Sequence, residues 1–462
     1  MHILRILTAL LSVFAIAAVS QCAETRPNFV IIVADDVSWD CFGCTGSKHA
    51  RTPHLDKLAS QGLRFNNMYV AVSQCAPARA ELYTGLYPHH NGVLANGVKR
   101  KIPGVKNVVD YLTTLGYRVG LTGKLHFKLG ASQFAKIEGF PAGSNSSAAE
   151  YSLDGVRGFI TKARAEKAPF CVFICSIHAH HPWDLGSAAN FPHNAMQLPA
   201  HYIDSPLARE AISRHAAEVE ELDKQVGDIM SMLDEMKLTQ DTVLMFLSEQ
   251  GTAMPRGKWT IYNYGCRALG LVRWPGKIAP RSTNAVAQYC DVVPTLIELG
   301  GGTPKGLDGK SMQQLWLGKT DKHRDHAFLS NTNPVWQRAI VTREYKLIWN
   351  PDRNGTYVFK NFLSAGKFFS KPWAEWKSLA KAGGDAKAKV DRLELPDEVE
   401  LYHIAKDPYE LNNLAAKNEH SARAREMLEQ LKRYMKDVGD TEGPGASGKG
   451  KEKKRQKRSE TQ

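Results

Sequence analysis

The stretch Asn28-Phe29-Val30-Ile31-Ile32-Val33-Ala34, followed at once by Asp35-Asp36, decides the fold class of this chain. Its first seven residues carry no charge and are rich in β-branched side chains, which is typical of a strand buried on both faces of a parallel sheet. Similar apolar runs occur at residues 171–177 and 242–247. Helical patterns lie between these runs, so the sequence predicts an α/β fold, a three-layer sandwich with a large, mostly parallel sheet.

Three segments between the predicted strands have the signature of helices. Thr52 is a candidate N-cap with Pro53 at the first helical position. Residues 107–115 form a short amphipathic segment that ends at Gly116. Residues 208–237 carry apolar side chains at three- and four-residue spacing, which predicts one long amphipathic helix.

The composition and the pattern of predicted strands and helices change near residue 320. Residues 325–360 contain short strand-like pieces, residues 361–395 have the composition of an insertion, and a strand and a helix return over residues 401–438. We therefore expect a main α/β domain at residues 24–320 and a smaller C-terminal α+β subdomain, with a short antiparallel sheet, at residues 321–440. Residues 441–462 are rich in glycine and basic side chains, which predicts a disordered tail.

The N-terminus has the pattern of a secretory signal peptide, over residues 1–20. Arg5 supplies a positive charge, residues 6–19 form a short apolar run, and Ala18-Val19-Ser20 provides small residues for cleavage. The run is too short for a comfortable membrane-spanning helix, and no second apolar stretch of spanning length follows. The sequence predicts an exported protein, periplasmic or secreted, with no membrane span.

The charge balance is basic, with 60 Lys and Arg against 47 Asp and Glu and a net charge of +13. A positive surface favours anionic partners such as an acidic glycan, although it does not specify any chemistry. Because the sequence shows no combined aromatic and basic nucleic-acid motif, we expect no nucleic-acid partner.

Polar residues directly follow the three predicted buried strands. They are Asp35-Asp36, His178-Ala179-His180-His181 and Glu249-Gln250. In an open parallel sheet the carboxyl ends of the strands meet at one edge, so these side chains are expected to lie close together. Adjacent carboxylates repel each other and a divalent cation relieves that repulsion, which predicts a hard-cation site; a solvated turn is the alternative.

The segment Cys75-Ala76-Pro77-Ala78-Arg79 places a cysteine at the start of a predicted helix. Pro77 suits the first helical turn, and the free N–H groups at that end favour anions. Arg79 lies one helical turn after Cys75, so its side chain can reach the same N-terminal end of the helix. The alternative is an inert buried cysteine beside a surface arginine.

These residues resemble the type I sulfatase family, which uses a formylglycine and belongs to the alkaline-phosphatase-like superfamily. The family motif C-x-P-x-R, a four-residue spacer and T-G stands here from Cys75 to Gly85. A second family segment, G-Y-x-T-x-x-x-G-K-x-H, stands at residues 116–126, with Val119 in place of the usual Thr. Further family segments follow in order as far as Ala415, among them GKWTIYNYGCR, LVRWPG and DVVPT.

The resemblance implies a post-translational nucleophile and a Ca²⁺ ion. In this family a maturation enzyme converts the motif cysteine, here Cys75, to formylglycine, whose hydrate attacks sulfur. The residues that match metal ligands are Asp35, Asp36, Cys75, Glu249 and Gln250. Glu249-Gln250 departs from the family pattern S-D-[NH]-G by one methylene in each side chain, yet both still offer oxygen ligands suited to Ca²⁺.

The resemblance also implies the remaining catalytic residues. Those that match are Cys75, Arg79, Lys124, His126, His180 and Lys258. His180 is selected through the family pattern P-H-x-P, in which Ala179 replaces the first Pro, and it is the candidate general acid. Its neighbours His178 and His181 remain competitors for that role.

The implied function is that of a sulfuric ester hydrolase that releases inorganic sulfate from a sulfated carbohydrate. Two alternatives remain open at this point. One is a phosphoester or phosphonate monoester hydrolase of the same superfamily, and the other is a non-catalytic glycan-binding protein on the same scaffold, which the Glu249-Gln250 departure motivates.

Overall fold

The computed structural model of the chain describes residues 26–126, 132–137, 151–332, 335–351, 370–441 and 443. The predicted signal peptide at residues 1–20 lies outside these residues. So does the predicted disordered tail, apart from residues 441 and 443.

A large sheet forms the centre of the molecule. Its strands are β1 (Asn28–Val33), β2 (Leu63–Tyr69), β5 (Arg118–Gly123), β6 (Ala135–Lys136), β7 (Phe170–Cys175), β8 (Thr242–Leu247), β9 (Arg267–Arg273) and β10 (Arg281–Gln288). Strands β3 (Val93–Ala95) and β4 (Val98–Lys99) form a separate two-stranded sheet. The strand order is β10-β2-β9-β8-β1-β7-β5-β6. Only β9 is antiparallel to its neighbours, β2 and β8, among these eight strands. The predicted mostly parallel sheet is therefore confirmed.

Strand β1 lies inside the sheet because both of its faces are apolar. Its residue Ile31 lies between Phe173 of β7 and Met245 of β8. The side chains of Phe29, Ile31 and Val33 belong to one buried apolar cluster, whereas Val30 and Ile32 belong to a second cluster. Alternate residues of a strand point to opposite faces, so the two clusters are the two interfaces of a three-layer sandwich.

Helices cover both faces of this sheet. Their bounds are Pro53–Ser60, Cys75–Thr84, Pro88–Asn91, Val108–Thr114, Leu153–Ala165, Pro206–Glu235, Asn263–Cys266, Val292–Leu299 and Gln313–Trp316. The 30-residue helix Pro206–Glu235 is the predicted long amphipathic helix; Ser205 caps it by accepting a hydrogen bond from the N–H of Ala208. Thr52 is the N-cap residue of helix Pro53–Ser60, as predicted, but its hydroxyl accepts a hydrogen bond from the N–H of Gly43 and not from a helix N–H.

A second, antiparallel sheet lies further along the chain. Its strands pair in chain order: β11 (Ala327–Asn331), β12 (Gln337–Val341), β13 (Tyr345–Trp349) and β14 (Val399–His403). Helix Ser421–Asp437 packs on this sheet, with Leu431 in the same apolar cluster as Ile340 and Leu401. Helices Ser370–Ala380 and Gly384–Glu394 fall within the segment predicted to be an insertion. This smaller α+β unit completes the predicted fold class.

None of the helices among the described residues has the length and apolarity that crossing a membrane requires.

Candidate active site

Two carboxylates lie directly beyond the end of β1. Asp35 and Asp36 are both completely buried. The N–H of Asp35 donates to the carbonyl of His178, 2.9 Å away, which ties the end of β1 to the loop after β7. Asp36 has a positive φ of 60°, a left-handed conformation that costs energy for a residue other than glycine and is found often at functional sites.

Cys75 brings a second stretch of chain to these carboxylates. It is the first residue of helix Cys75–Thr84 and is buried. Its Sγ lies 3.7 Å from Oδ1 of Asp36. Gln250, which follows β8, supplies the third stretch: its Nε2 lies 3.5 Å from Sγ of Cys75 and also donates to Asp36. Two of the three strand ends predicted to converge, those of β1 and β8, therefore meet at Cys75.

Two lysines neutralise the carboxylates. The Nζ of Lys124 lies 2.5 Å from Oδ2 of Asp35, and the Nζ of Lys258 lies 2.7 Å from both oxygens of Asp36. Burial raises the pKa of Asp35, but the charges of Lys124, His180 and Arg79 outweigh burial and hold this pKa well below its ordinary value. The pKa of Asp36 is lowered as well, chiefly by Lys258 acting against burial.

Arg79 crosslinks the base of the site. Its guanidinium donates to the carbonyl of Lys124 at 2.9 Å and to the carbonyl of Ala34 at 3.2 Å. Its Nε lies 2.5 Å from Oε1 of Glu249. Arg79 thus holds in place the segments that carry Asp35, Lys124 and Glu249, in addition to supplying positive charge.

The two candidate histidines differ in their surroundings. His180 donates from Nδ1 to the carbonyl of His181 at 2.7 Å, so its Nε2 faces Asp36, with Oδ2 of Asp36 3.7 Å away. His126 is half-buried, and burial together with the charges of Lys124 and Arg79 lowers its pKa to about 3. His126 therefore stays a neutral imidazole in this cationic environment, whereas His180 faces a carboxylate.

The competitor His178 points away from the cluster, to a group that the sequence analysis did not single out. Its Nδ1 lies 2.5 Å from Oε2 of Glu218, on the long helix Pro206–Glu235. On the same helix His215 donates from Nε2 to the carbonyl of Asp36 at 3.2 Å. His215 and Glu218 lie three residues apart on the buried face of this amphipathic helix. That spacing was the sequence signal that could have identified the two residues.

Glu249 faces Arg79. Besides its contact with Arg79, its Oε2 accepts a weak hydrogen bond from the N–H of Asp36 at 3.4 Å. Its own N–H donates to the hydroxyl of Tyr289 at 2.8 Å, a support that no local sequence pattern indicates. The additional methylene of Glu249, relative to the family's Asp, allows the carboxylate to reach the guanidinium.

The oxygen donors at this site fit a hard cation, whereas the thiol of Cys75 and the imidazole of His180 are softer donors. Asp35, Asp36, Cys75 and His180 each offer one ligand atom, and these atoms all lie within 4.8 Å of one another. Oδ1 of Asp35 and Oε1 of Gln250 are buried and accept no hydrogen bond from any residue that the structure describes. Oxygen atoms that lack a hydrogen-bond donor in a buried site are the ligands that Ca²⁺ and Mg²⁺ prefer.

Comparison with known proteins identifies the family of this chain. Residues 27–302 match the family profile described as Sulfatase. The chain belongs to the sulfatase family. The resemblance found in the sequence is therefore confirmed, and so is the predicted class of enzyme, a sulfuric ester hydrolase.

Relatives of this sulfatase match over most of the chain. An ulvan-active sulfatase of Formosa agariphila is 29% identical over 438 residues, covering 91% of this chain and 82% of the relative. Arylsulfatase A of Homo sapiens is 28% identical over 499 residues, covering 92% and 91%. A structure solved in complex with its substrate D-glucosamine-2-N,6-O-disulfate has the same fold, with a TM-score of 0.67, 17% identity and coverage of 90% and 99%.

Proposed function

We propose that this sulfatase hydrolyses sulfate esters of a sulfated carbohydrate at the Cys75 cluster and releases inorganic sulfate. One observation carries the proposal: the buried Sγ of Cys75 lies within 3.7 Å of both Asp36 Oδ1 and Gln250 Nε2. A cysteine kept only for packing would have apolar neighbours, whereas this one faces groups that bind ions.

Cationic groups of the chain bind and orient the sulfate group. Lys124 and Lys258 are buried and positively charged, and Arg79 fixes the carbonyl of Lys124. Such fixed charges, held in a site that excludes most water, stabilise the charge that develops as the sulfate ester reacts, at no cost of reorganisation. Lys258 in particular is held by both oxygens of Asp36.

His180 protonates the leaving oxygen of the sugar in this proposal. Its Nδ1–H is engaged by a backbone carbonyl, which fixes the plane of the ring and leaves Nε2 for proton transfer. His126 is a neutral hydrogen-bonding group near the sulfate, since its pKa of about 3 keeps it unprotonated in neutral solution.

A Ca²⁺ ion and a formylglycine complete the site as we propose it. Asp35, Asp36, Gln250 and the side chain at position 75 would hold the ion, with Glu249 as a further candidate ligand. When bound, the ion supplies positive charge next to the reacting oxygen, and the hydrated formylglycine supplies the nucleophilic hydroxyl. The maturation enzyme that converts Cys75 to formylglycine is a required partner in this proposal.

The proposed substrate class is a sulfated glycan. The relative from Formosa agariphila is named for activity on ulvan, and the similar solved structure holds a disulfated glucosamine. The net charge of +13 favours the approach of a polyanion. Such a substrate agrees with export to the periplasm or the medium, which we propose on the basis of the N-terminal pattern.

Mass spectrometry of the peptide containing Cys75, from protein made in its native host, tests the proposed nucleophile. The expected spectrum shows the mass change for replacement of CH₂–SH by an aldehyde. An unmodified thiol in active enzyme would refute it. Rates of sulfate and phosphate release from esters of one alcohol then decide between a sulfatase and a phosphoester hydrolase, and a Cys75→Ala variant provides the background rate.

A further inference from the structure

A large groove lies at the junction between the large sheet and the C-terminal α+β unit. Its volume is about 1010 Å³, and we call it the junction groove. Asn67 and Arg267 line one wall, and Arg343, Tyr345 and Arg423 line the other. This volume is at the upper end of the range found for ligand sites, so it accommodates several sugar units more readily than a single ion.

Two arginines of the groove are held in place by aromatic rings. The guanidinium of Arg267 lies 4.2 Å from the ring centroid of Trp39, and that of Arg423 lies 4.2 Å from the ring centroid of Tyr345. Stacking orients a guanidinium without neutralising it, so less conformational entropy is lost when it binds an anion. Each of these Arg–aromatic pairs lines a different wall of the junction groove.

The positive charge of the groove is mostly uncompensated. Arg267, Lys322, Arg343 and Arg423 line it, and none of them forms an ion pair with any carboxylate in the part of the chain that the structure describes. The fifth cation, Arg324, is paired with Asp291. The acidic residues of the lining are Asp325 and Glu344, so the cations outnumber them.

Neutral hydrogen-bonding groups lie beside the arginines. Asn66 donates from Nδ2 to Oδ1 of Asn284 at 2.7 Å, and Asn67 donates to the carbonyl of Asn284 at 3.0 Å. Asn284 is exposed, and these bonds orient its amide within the groove. Guanidinium groups together with amides are the combination that recognises a sulfated sugar, which presents sulfate oxygens and hydroxyls alternately.

The junction groove is separate from the Cys75 cluster but connected to it along the chain. None of the catalytic candidates lines the groove. Trp39, which orients Arg267, lies three residues after Asp36 in the loop that follows β1. A small aryl sulfate fills only one of the two places, so the groove can contribute only to the binding of a substrate with several sugar units.

We infer that the junction groove binds a non-reacting, sulfated segment of the glycan chain, an inference that rests on the substrate class proposed above. The groove then raises affinity for polymers without any part in bond cleavage, because two linked binding events reinforce each other through a high effective concentration. Sulfate esters on small leaving groups gain nothing from it.

Charge reversal in the groove provides the test. The variant Arg343→Glu/Arg423→Glu alters its two exposed arginines on the C-terminal wall, and Arg425→Glu/Arg433→Glu is the control, with the same change in net charge on helix Ser421–Asp437 outside the groove. Binding of a fluorescent heparin decasaccharide is measured by anisotropy, and turnover of 4-nitrophenyl sulfate is measured in parallel. We expect the groove variant to bind the decasaccharide about tenfold more weakly, with a smaller salt dependence, and the control to lose much less.

Several results would overturn the inference. One is an equal loss of affinity for the decasaccharide in the groove variant and in the control, which would indicate that binding depends on net charge alone. A second is equally tight, groove-dependent binding of a single-stranded DNA of similar length, which would make the site a nucleic-acid site. A third is a matching loss of 4-nitrophenyl sulfate turnover in Arg343→Gln/Arg423→Gln, the milder variant used if charge reversal prevents folding. Absence of sulfatase activity in the wild type would contradict the proposed function. The comparison of decasaccharide binding between the groove variant and the control would still test the groove.

Discussion

Glu218 holds His178 through a contact of 2.5 Å between Oε2 and Nδ1, and its other oxygen accepts hydrogen bonds from the N–H groups of Asp184 and Leu185, at 3.1 and 2.8 Å. Glu218 is almost completely buried in the helix Pro206–Glu235. The loop that carries His180 is therefore fastened on both sides of that residue to one carboxylate.

Replacing Glu218 by Gln should lower kcat about tenfold to a hundredfold with a smaller effect on KM. The amide of Gln has only one accepting oxygen, so it cannot accept hydrogen bonds both from His178 and from the N–H groups of Asp184 and Leu185. One of the two attachments is lost, so the loop shifts and His180 loses its position relative to the leaving group. Steady-state kinetics on a sulfated sugar gives the separate values. Glu210→Gln, on the same helix and paired with Arg214 on the surface, is the matched control and should retain wild-type kcat. An equal loss in both variants would contradict the positioning role.

Replacing His180 by Ala should slow hydrolysis in proportion to the basicity of the leaving group. We expect a loss of about a hundredfold or more for a sugar sulfate, because its alkoxide needs a proton as it departs. For 4-nitrophenyl sulfate, whose leaving group departs without protonation, the loss should be much smaller. Rates across a series of aryl and alkyl sulfates measure this dependence. His181→Ala, which keeps the carbonyl that orients His180, serves as the control; an equal loss for every leaving group would exclude the acid role.

Much of the fold and the centre of the site could be predicted because local patterns specify them. The apolar run of β1 indicates a strand buried on both faces, and Asp35 and Asp36 follow where such a strand must end. Cys75 begins a helix, as Pro77 suggested. The antiparallel direction of β9 was not predicted, because a strand buried on both faces has the same composition in either direction.

The remaining features depend on contacts between residues far apart in sequence. Glu218 lies 40 residues from His178, and Tyr289 lies 40 residues from Glu249, so no spacing rule connects either pair. The contact of Glu249 with Arg79 depends on one additional methylene and on a positive φ of 65° at Glu249. Such a detail is determined by tertiary packing and not by the local pattern.

Gln250→Ala should weaken calcium binding more than Glu249→Gln does. Oε1 of Gln250 is buried with no hydrogen-bond donor among the described residues, whereas Oε1 of Glu249 faces Nε of Arg79. A ligand that binds only the folded state raises its stability, by about 2.7 kcal/mol at a concentration of 100 times Kd. Thermal unfolding in EDTA and in saturating CaCl₂ should therefore show the calcium-induced shift of Tm lost in Gln250→Ala and kept in Glu249→Gln.

The same experiment separates the two roles of Glu249. In EDTA, Glu249→Gln should be less stable than the wild type by about 3–5 kcal/mol, because the buried charge of Arg79 loses the nearer of its two carboxylate partners. A Glu249→Gln protein that keeps its stability in EDTA but no longer responds to calcium would instead make Glu249 the principal ligand. The absence of a calcium shift in the wild type would contradict the proposed ion.

His201→Phe should make the protein less sensitive to acid. His201 is buried against the rings of Tyr202, Tyr264 and Tyr409, and neither of its ring nitrogens has a hydrogen-bond partner in the described part of the chain. Burial, together with the charges of Arg256 and Lys389, lowers the pKa of His201 well below 6.5 in the folded state.

The sign of the effect follows from this lowered pKa. Below about pH 6.5 the unfolded chain binds a proton at His201 and the folded chain does not, so the wild type loses about 1.4 kcal/mol of stability per pH unit as the pH falls. His201→Phe keeps an aromatic ring in the cluster and removes that loss. Urea unfolding should therefore show a gain in stability at pH 5 that exceeds the gain at pH 8 by about 2 kcal/mol. His193→Phe, at an exposed site, is the control, and an equal gain at both pH values in His201→Phe would contradict the buried, neutral state of this histidine.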